Sequence, residues 1–141
     1  MSNRSALAAF SSAQLAAQLA GHVVALRRGH PFDVPFMTGS PDHLVRDWLW
    51  FGTALSAPPY LLAPQTWATA RLLRGDDDGA RWVLRRLGTG LTVGYLSERL
   101  ARARVRPGGF DPVETPIVVV GWGSAIALAL LGARSQDGVR P

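Results

Sequence analysis

Long uncharged windows alternate with short charged clusters along this chain. The windows cover residues 5–26, 48–70 and 115–133, and none of them contains Asp, Glu, Arg or Lys. A helix rises 1.5 Å per residue, so roughly 20 residues cross a hydrocarbon core of about 30 Å. A helix of a soluble protein normally carries a charged stripe that faces water. The pattern therefore predicts an all-α fold: a small integral membrane bundle of about four helices in up-and-down order.

Caps and breakers place the helix ends. Gly29 follows two arginines, which is typical of a helix end, and Ser40-Pro41 is typical of a helix start. Prolines and glycines between these two points favour an irregular connection. We expect a single four-helix membrane domain at residues 1–133 and a short disordered tail at 134–141. The predicted helices are 5–28, 41–74, 80–104 and 112–133.

The two middle helices are the least regular of the four. The second contains Pro58, Pro59 and Pro64, so we expect it to be kinked there. Its broken backbone would be tolerated at membrane depth only where protein or a water-lined cavity satisfies the freed groups. The third has an uncharged stretch of only residues 87–97, so it either spans with snorkelling arginines or lies in the interface.

The first helix carries a polar stripe. Gln14, Gln18 and His22 follow at intervals of four residues, so they share one helix face. Such a face in a membrane points to other helices, not to lipid. A signal peptide is the alternative, because Arg4 precedes an apolar run, but the glutamines argue against it.

Composition narrows the function classes. The chain has no cysteine, which excludes disulfides, thiolate catalysis and zinc–sulfur sites. The net charge of +5 comes from arginines alone among the basic residues, and these lie at the ends of the apolar windows. There they act as interface anchors, so we expect no nucleic-acid partner. The two sides of the bundle carry similar numbers of arginines; we assign the chain to the cell membrane as a multi-pass protein with cytoplasmic termini.

An up-and-down bundle gathers its chemistry at one end. All three histidines and six of the ten acids lie on the side where helix 1 ends, helix 2 begins, helix 3 ends and helix 4 begins. Intramembrane ionisable groups are functional candidates. A desolvated carboxyl group there could act as an acid or a base. The candidate catalytic residues are Asp47, Glu98 and Tyr95, and the candidate ligand-binding residues are His22, Asp33, His43, Trp48 and Trp50.

Structural roles explain the same carboxylates. Asp47 has Arg46 beside it and Arg99 across the bundle, and Glu98 has Arg102 one turn later. Asp111 and Glu114 are accounted for by helix capping. No catalytic, nucleotide-binding or metal-binding motif is present, so we expect neither a cofactor nor a metal.

Two function classes remain. In the first, the protein is a non-enzymatic subunit or a module that binds a lipid or another hydrophobic small molecule. Its other partners would be the bilayer and further subunits, which would dock on the Gly90/Gly94 or Gly121/Gly123 faces. In the second, it is a membrane-embedded acid/base enzyme, an isomerase, cyclase or epoxide-opening enzyme, that acts on a lipid or isoprenoid through Asp47 and Glu98.

Overall fold

The computed structural model describes residues 2–134, so the predicted tail lies outside the described residues except for Arg134. The described chain is mostly helical, which confirms the all-α fold. Its helices are α1 (Asn3–Arg28), α2 (Leu44–Trp50), α3 (Pro59–Arg74), α4 (Asp78–Ser97), α5 (Arg99–Arg104) and α6 (Glu114–Ala133). A small antiparallel hairpin pairs β1 (Asp33–Val34) with β2 (Met37–Thr38).

The four long helices form an up-and-down bundle. Helix α1 packs between α3 and α6, and α4 packs between the same two helices on the opposite side. The Asn3 amide donates to the carbonyl of Leu131, and Arg28 pairs with Glu114, so α1 and α6 are antiparallel. The end with residues 29–58 and 98–113 is called the loop end below. The end with residues 2–4 and 75–77 is called the terminal end.

The prediction of one kinked helix over 41–74 is wrong, because two helices are joined there by a non-helical segment. A 3₁₀ turn at Pro41–His43 leads into α2, and α3 begins only at Pro59. Gly52 has φ +83°, and a side chain there would collide with the carbonyl oxygen of Ser56. Pro58 adopts φ −68° and ψ 157°, an extended conformation that proline accepts and that cannot continue a helix. Pro64, by contrast, lies inside α3.

The helix predicted at 80–104 is also interrupted. Glu98 is extended, with φ −75° and ψ 123°, and it separates α4 from α5. Its N–H donates to the carbonyl of Gly94 and ends α4, whereas its own carbonyl accepts from Arg102 and starts α5. A candidate acid therefore lies at a helix break, and its side chain is buried.

Glycines on α4 have opposite environments. A Cβ atom at Gly88 would lie 2.7 Å from the Ala125 oxygen and the Ala129 nitrogen of α6, so the absence of a side chain sets this helix contact. Gly90 and Gly94 have nothing within 4 Å of such a Cβ atom and are exposed. On α6, a Cβ atom at Gly121 would overlap the Tyr95 hydroxyl, whereas Gly123 is open. The face of α4 that carries Gly90 and Gly94 is therefore not in close contact with another helix of the described chain.

Polar side chains fill the middle of the bundle. Gln14 and Gln18 are buried, as predicted for the stripe on α1. Gln65 of α3 donates to Gln14 over 2.8 Å, and the Ser11 and Thr69 hydroxyls lie 2.6 Å apart. At the terminal end an apolar cluster closes this polar interior; its largest members are Leu7, Leu72, Leu84 and Leu128.

The surface of the helices is strongly apolar. Large apolar residues with at least 50% exposure occur on all four long helices, among them Leu19, Trp67, Val93 and Leu130. Within the described residues, α6 is the one helix long and apolar enough to cross a membrane by hydropathy; its best window has a mean hydropathy of 2.0. That window is only 28% buried. Composition and length alone therefore indicate one candidate span.

Candidate functional site

A cavity of about 380 Å³ lies at the loop end between α3, α4 and the segment that precedes α3. We call it the lateral cavity. Its wall is mostly apolar and contains six aromatic side chains: Phe32, Phe36, Trp50, Phe51, Tyr60 and Tyr95. Gly90 and Gly94 form one side, and because both are exposed, the cavity is open along that face of α4. Its size falls at the lower end of small-molecule sites, which span about 300–1,000 Å³.

The GxxxG spacing on α4 makes the room for this cavity. Gly90, Gly94 and Glu98 follow at intervals of four residues, so they align on one face of the helix. Gly90 and Glu98 are separated by about 12 Å along the axis at 1.5 Å per residue. Both glycines line the cavity, and a Cβ atom at either one would meet no other atom within 4 Å. The cavity is thus an elongated slot with an acid at its loop end.

Residues 51–58 supply the opposite wall, and the buried glutamine of α1 holds them there. The Ala57 N–H donates to the Gln18 side-chain oxygen, and the Trp48 indole donates to the Ala57 carbonyl. Closer to α2, the Thr53 N–H donates to the Ser56 carbonyl. These bonds satisfy backbone groups that no helix satisfies, which buried peptide groups require. The chain therefore leaves the helix here and still forms a stable wall.

Glu98 is the ionisable carboxyl group of the cavity wall. It is 6% exposed, and both of its oxygens accept from the Asp33 N–H, at 3.1 and 3.0 Å. Burial raises the pKa of Glu98 to about 7, although the Asp33 N–H and the charge of Arg102 act in the opposite direction. No described residue forms an ion pair with Glu98, so the predicted pairing with Arg102 is absent. An acid that is part protonated near neutral pH thus borders an apolar space.

Tyr95 lies one turn before Glu98 and is also part of the wall. It is buried, and its hydroxyl accepts from the Gln18 amide at 3.4 Å. Its ring stacks on Trp122 with centroids 6.1 Å apart, which fixes the ring against α6. Two of the three candidate catalytic residues, Glu98 and Tyr95, therefore border the same cavity.

Asp47 lies elsewhere. It is on α2, 7% exposed, and its carboxylate accepts from the exposed Arg46 at 3.2 Å. It is absent from the cavity wall. The structure therefore does not bring the Asp47 and Glu98 carboxylates together around one ligand space.

The candidate ligand-binding residues separate into two groups. Trp50 is part of the cavity wall, and Asp33 supports Glu98 through its backbone while its side chain pairs with Arg99 at 3.4 Å. His22 stacks on Trp48 with ring centroids 4.1 Å apart, outside the wall. His43 is exposed in the 3₁₀ turn. The roles assigned to all five residues remain predictions.

A buried carboxylate that was assigned only to capping lies in an ion-pair cluster. The Glu114 side chain has no exposed area and pairs with Arg28 at 2.9 Å, with His30 at 2.8 Å and with Arg104. Asp111 performs the capping, because its Oδ1 accepts from the N–H of Glu114 at 2.8 Å. That bond and the one from Val113 lower the pKa of Asp111 to about 2. The cluster fastens the loop ends of α1, α5 and α6 together.

Several wall residues had no functional signal in the sequence. The stripe on α1 predicts that Gln18 faces inward but not that it borders a cavity, and Phe32 and Phe36 fall in the connection that the sequence predicts to be irregular. Their shared role depends on the return of residues 30–58 across the bundle, which no local pattern encodes. The open GxxxG face was the one available signal, and it was read as a helix contact.

Metal binding finds no geometric support among residues 2–134, where no group of three or more acidic or histidine side chains is arranged to hold an ion. Comparisons with protein-family models, with curated proteins and with solved structures found no match.

Proposed function

We propose that this protein is a small multi-pass membrane protein that binds a hydrophobic small molecule in the lateral cavity. The observation that carries the proposal is the cavity itself, an apolar slot with a few polar groups at one end and an opening along α4. Ligand sites in proteins have this composition, apolar walls with few convergent polar groups.

The distribution of polarity supports a membrane setting. Buried side chains between α1 and α3 include the hydroxyls of Ser11 and Thr69 and the amides of Gln14 and Gln65, whereas exposed side chains on the same helices include Leu19 and Trp67. Contacts between helices in membranes use small and polar residues, because lipid removes the hydrophobic drive for association. Backbone groups of Thr53, Ser56 and Ala57 bond to protein groups, as a non-helical segment at membrane depth requires.

The position of the opening supports entry of a ligand from the bilayer. Gly90 lies about 18 Å along α4 from its start at the terminal end, at 1.5 Å per residue. If α4 spans, the open face of Gly90 and Gly94 meets the acyl-chain region and not water. A hydrophobic ligand would then enter sideways without crossing the aqueous phase.

A photoaffinity experiment tests this proposal on the full chain in neutral detergent. The probe is a ten-carbon alcohol with a diazirine on its chain, and labelled peptides are identified by mass spectrometry. We expect saturable labelling of residues 53–61 and 90–98. Gly90→Leu places a large side chain at the cavity wall and should abolish this labelling. Gly123→Leu makes the same change at another open helix position and should preserve it.

Labelling that does not saturate, or that is unchanged in Gly90→Leu, would contradict ligand binding in the cavity. The membrane assignment is tested separately by alkaline carbonate extraction of expressing cells. Integral proteins stay with the bilayer, so release of the chain into the supernatant would contradict it. Reporter fusions at both ends test the proposed cytoplasmic location of the termini.

Association with further copies or subunits through the glycine faces is part of the same proposal. Gly121 is covered by Tyr95, so the open positions are Gly123 on α6 and the Gly90/Gly94 face. Light scattering of the detergent complex gives the protein mass. If Gly90→Leu or Gly123→Leu has a lower mass than the wild type, association through the substituted face is supported. A wild type that already has the mass of a monomer would contradict association.

The second candidate function is acid/base catalysis on a lipid or isoprenoid. The specific observation in its favour is that Glu98, with a pKa of about 7, shares the cavity wall with Tyr95. A group with such a pKa can donate or accept a proton near neutral pH. Asp47 has no place in this version, because it pairs with Arg46. Lipid extract incubated with wild type and with Glu98→Gln tests it: conversion of a species by the wild type alone is expected.

A further inference from the structure

Glu98 differs from the other buried carboxylates of the described chain. Glu114 has two arginines and a histidine within ion-pair distance, and Asp47 has Arg46. Glu98 forms no ion pair with any arginine or histidine within residues 2–134, although 14 arginines lie in that range. A buried acid normally is paired with a cation or shifts to its neutral form. The missing counter-ion is therefore the unexplained feature of this site.

The charged groups around Glu98 leave its cavity side free. The backbone N–H of Asp33 in β1 donates to Glu98. The Asp33 carboxylate pairs with Arg99 at 3.4 Å and accepts from the Thr38 hydroxyl at 3.1 Å. Arg102 of α5 acts on Glu98 only through its charge at a distance. None of these three groups is part of the cavity wall. A ligand in the cavity would therefore meet one acidic group and no basic group.

The remainder of the wall suits a cation. Six aromatic residues line the slot, and the faces of aromatic rings attract ammonium groups within about 6 Å. An anionic head group would find no arginine or lysine there and would lie against a carboxylate. Burial of such an uncompensated charge is strongly unfavourable.

We propose that the ligand of the lateral cavity is an amphiphilic amine, whose ammonium group pairs with Glu98 and whose aliphatic chain extends along the slot toward Gly90. The cavity volume of about 380 Å³ suits a small amphiphile, since small-molecule sites begin at about 300 Å³. This inference rests on the proposed function, because it names the chemical class of the ligand of that same cavity.

Competition against the photoreactive alcohol tests the inference. Decylamine, decanol and decanoic acid have the same chain and differ only in their head groups. In neutral detergent at pH 8, we expect decylamine to displace the probe at a concentration at least tenfold lower than either of the other two, since hydrogen bonds to charged groups are the stronger ones.

Glu98→Gln keeps the shape of the side chain and removes its charge. It should lower the affinity for decylamine about tenfold or more and leave decanol nearly unchanged. Asp47→Asn is the matched control, because it neutralises a buried carboxylate outside the wall; it should retain the preference for the amine. Comparison within one detergent cancels differences in how the three compounds partition into micelles.

The pH dependence gives a second readout. Protonation of Glu98 removes the counter-ion, so decylamine should bind about tenfold or more weakly at pH 5.5 than at pH 8, and Glu98→Gln should lose this dependence. Equal displacement by the three compounds, or an amine preference that survives in Glu98→Gln, would overturn the inference alone. Absence of saturable probe labelling in the wild type would overturn the proposed function and this inference with it.

Discussion

The two kinds of glycine on α4 should respond in opposite directions to the same substitution. Gly88 is in contact with α6, and its Cβ atom would lie 2.7 Å from a backbone oxygen, a backbone nitrogen and the Leu128 Cβ atom. Gly90, only two residues later, has open space at that position. Alanine at each site tests whether α4 and α6 pack face to face as described.

The magnitudes follow from two opposing effects. Alanine is favoured over glycine in a helix by about 1 kcal/mol, and this gain applies at both sites. Overpacking of a close contact costs about 1–3 kcal/mol. The upper part of that range applies at Gly88, because backbone atoms of α6 cannot rotate away. We therefore expect Gly88→Ala to lower the free energy of unfolding by about 1–2 kcal/mol and Gly90→Ala to raise it by up to about 1 kcal/mol.

Thermal unfolding in detergent, followed by far-ultraviolet circular dichroism, measures this difference. A change of 1 kcal/mol moves Tm by about 2–4 °C in a chain of this approximate size. The two variants should therefore differ by about 2–12 °C, with the wild type between them. Equal stabilisation by both substitutions would refute the close approach of α4 and α6 at Gly88, and with it the orientation that turns Gly90 and Gly94 toward the cavity.

Three further predictions concern the polar residues at the loop end. Gln18→Ala removes the acceptor of the Ala57 N–H and should lower the free energy of unfolding by about 1–3 kcal/mol. Hydrogen exchange at Ala57 should become faster than in the wild type, and unchanged exchange would contradict the bond. Because the pKa of Glu98 is raised to about 7, the folded protein holds a proton that the unfolded chain releases between about pH 4.5 and 7. The free energy of unfolding should therefore fall as pH rises through this range. Glu98→Gln should reduce this slope, and an unchanged slope would contradict the raised pKa. Glu114→Gln should lower Tm more than Asp47→Asn, since Glu114 contacts two arginines and His30, whereas Asp47 contacts only one exposed arginine. The reverse order would refute the role of the cluster.

Local signals along the sequence determined where most helices begin and end. Gly29 adopts φ +68° at the end of α1, and its N–H closes on Ala25 as expected of a glycine cap. Proline occupies the first residue of the 3₁₀ turn after Ser40, and Asp111 caps α6. Such signals act over a few residues, so they can be recognised without knowledge of the fold.

The interruptions of the helices required tertiary contacts. Three prolines predicted a kink in the second helix, but the exit of the chain at residues 51–58 depends on Gln18, which lies about 40 residues away and satisfies Ala57. The extended conformation of Glu98 depends likewise on the Asp33 N–H from a different element. Propensity at these positions does not decide the outcome, because distant partners compensate the lost helix bonds.

Candidate chemistry was partly readable from sequence and partly not. The lateral cavity lies at the predicted loop end, and Glu98 and Tyr95 are recognisable there from sequence as ionisable groups beside an uncharged window. The separation of Asp47 from Glu98 was not readable, because α2 turns its carboxylate to Arg46. The use of Gly90 and Gly94 was not readable either, because a glycine pair permits both a close helix contact and an open slot. Only the rotation of α4 against α6, fixed by Gly88, selects the slot.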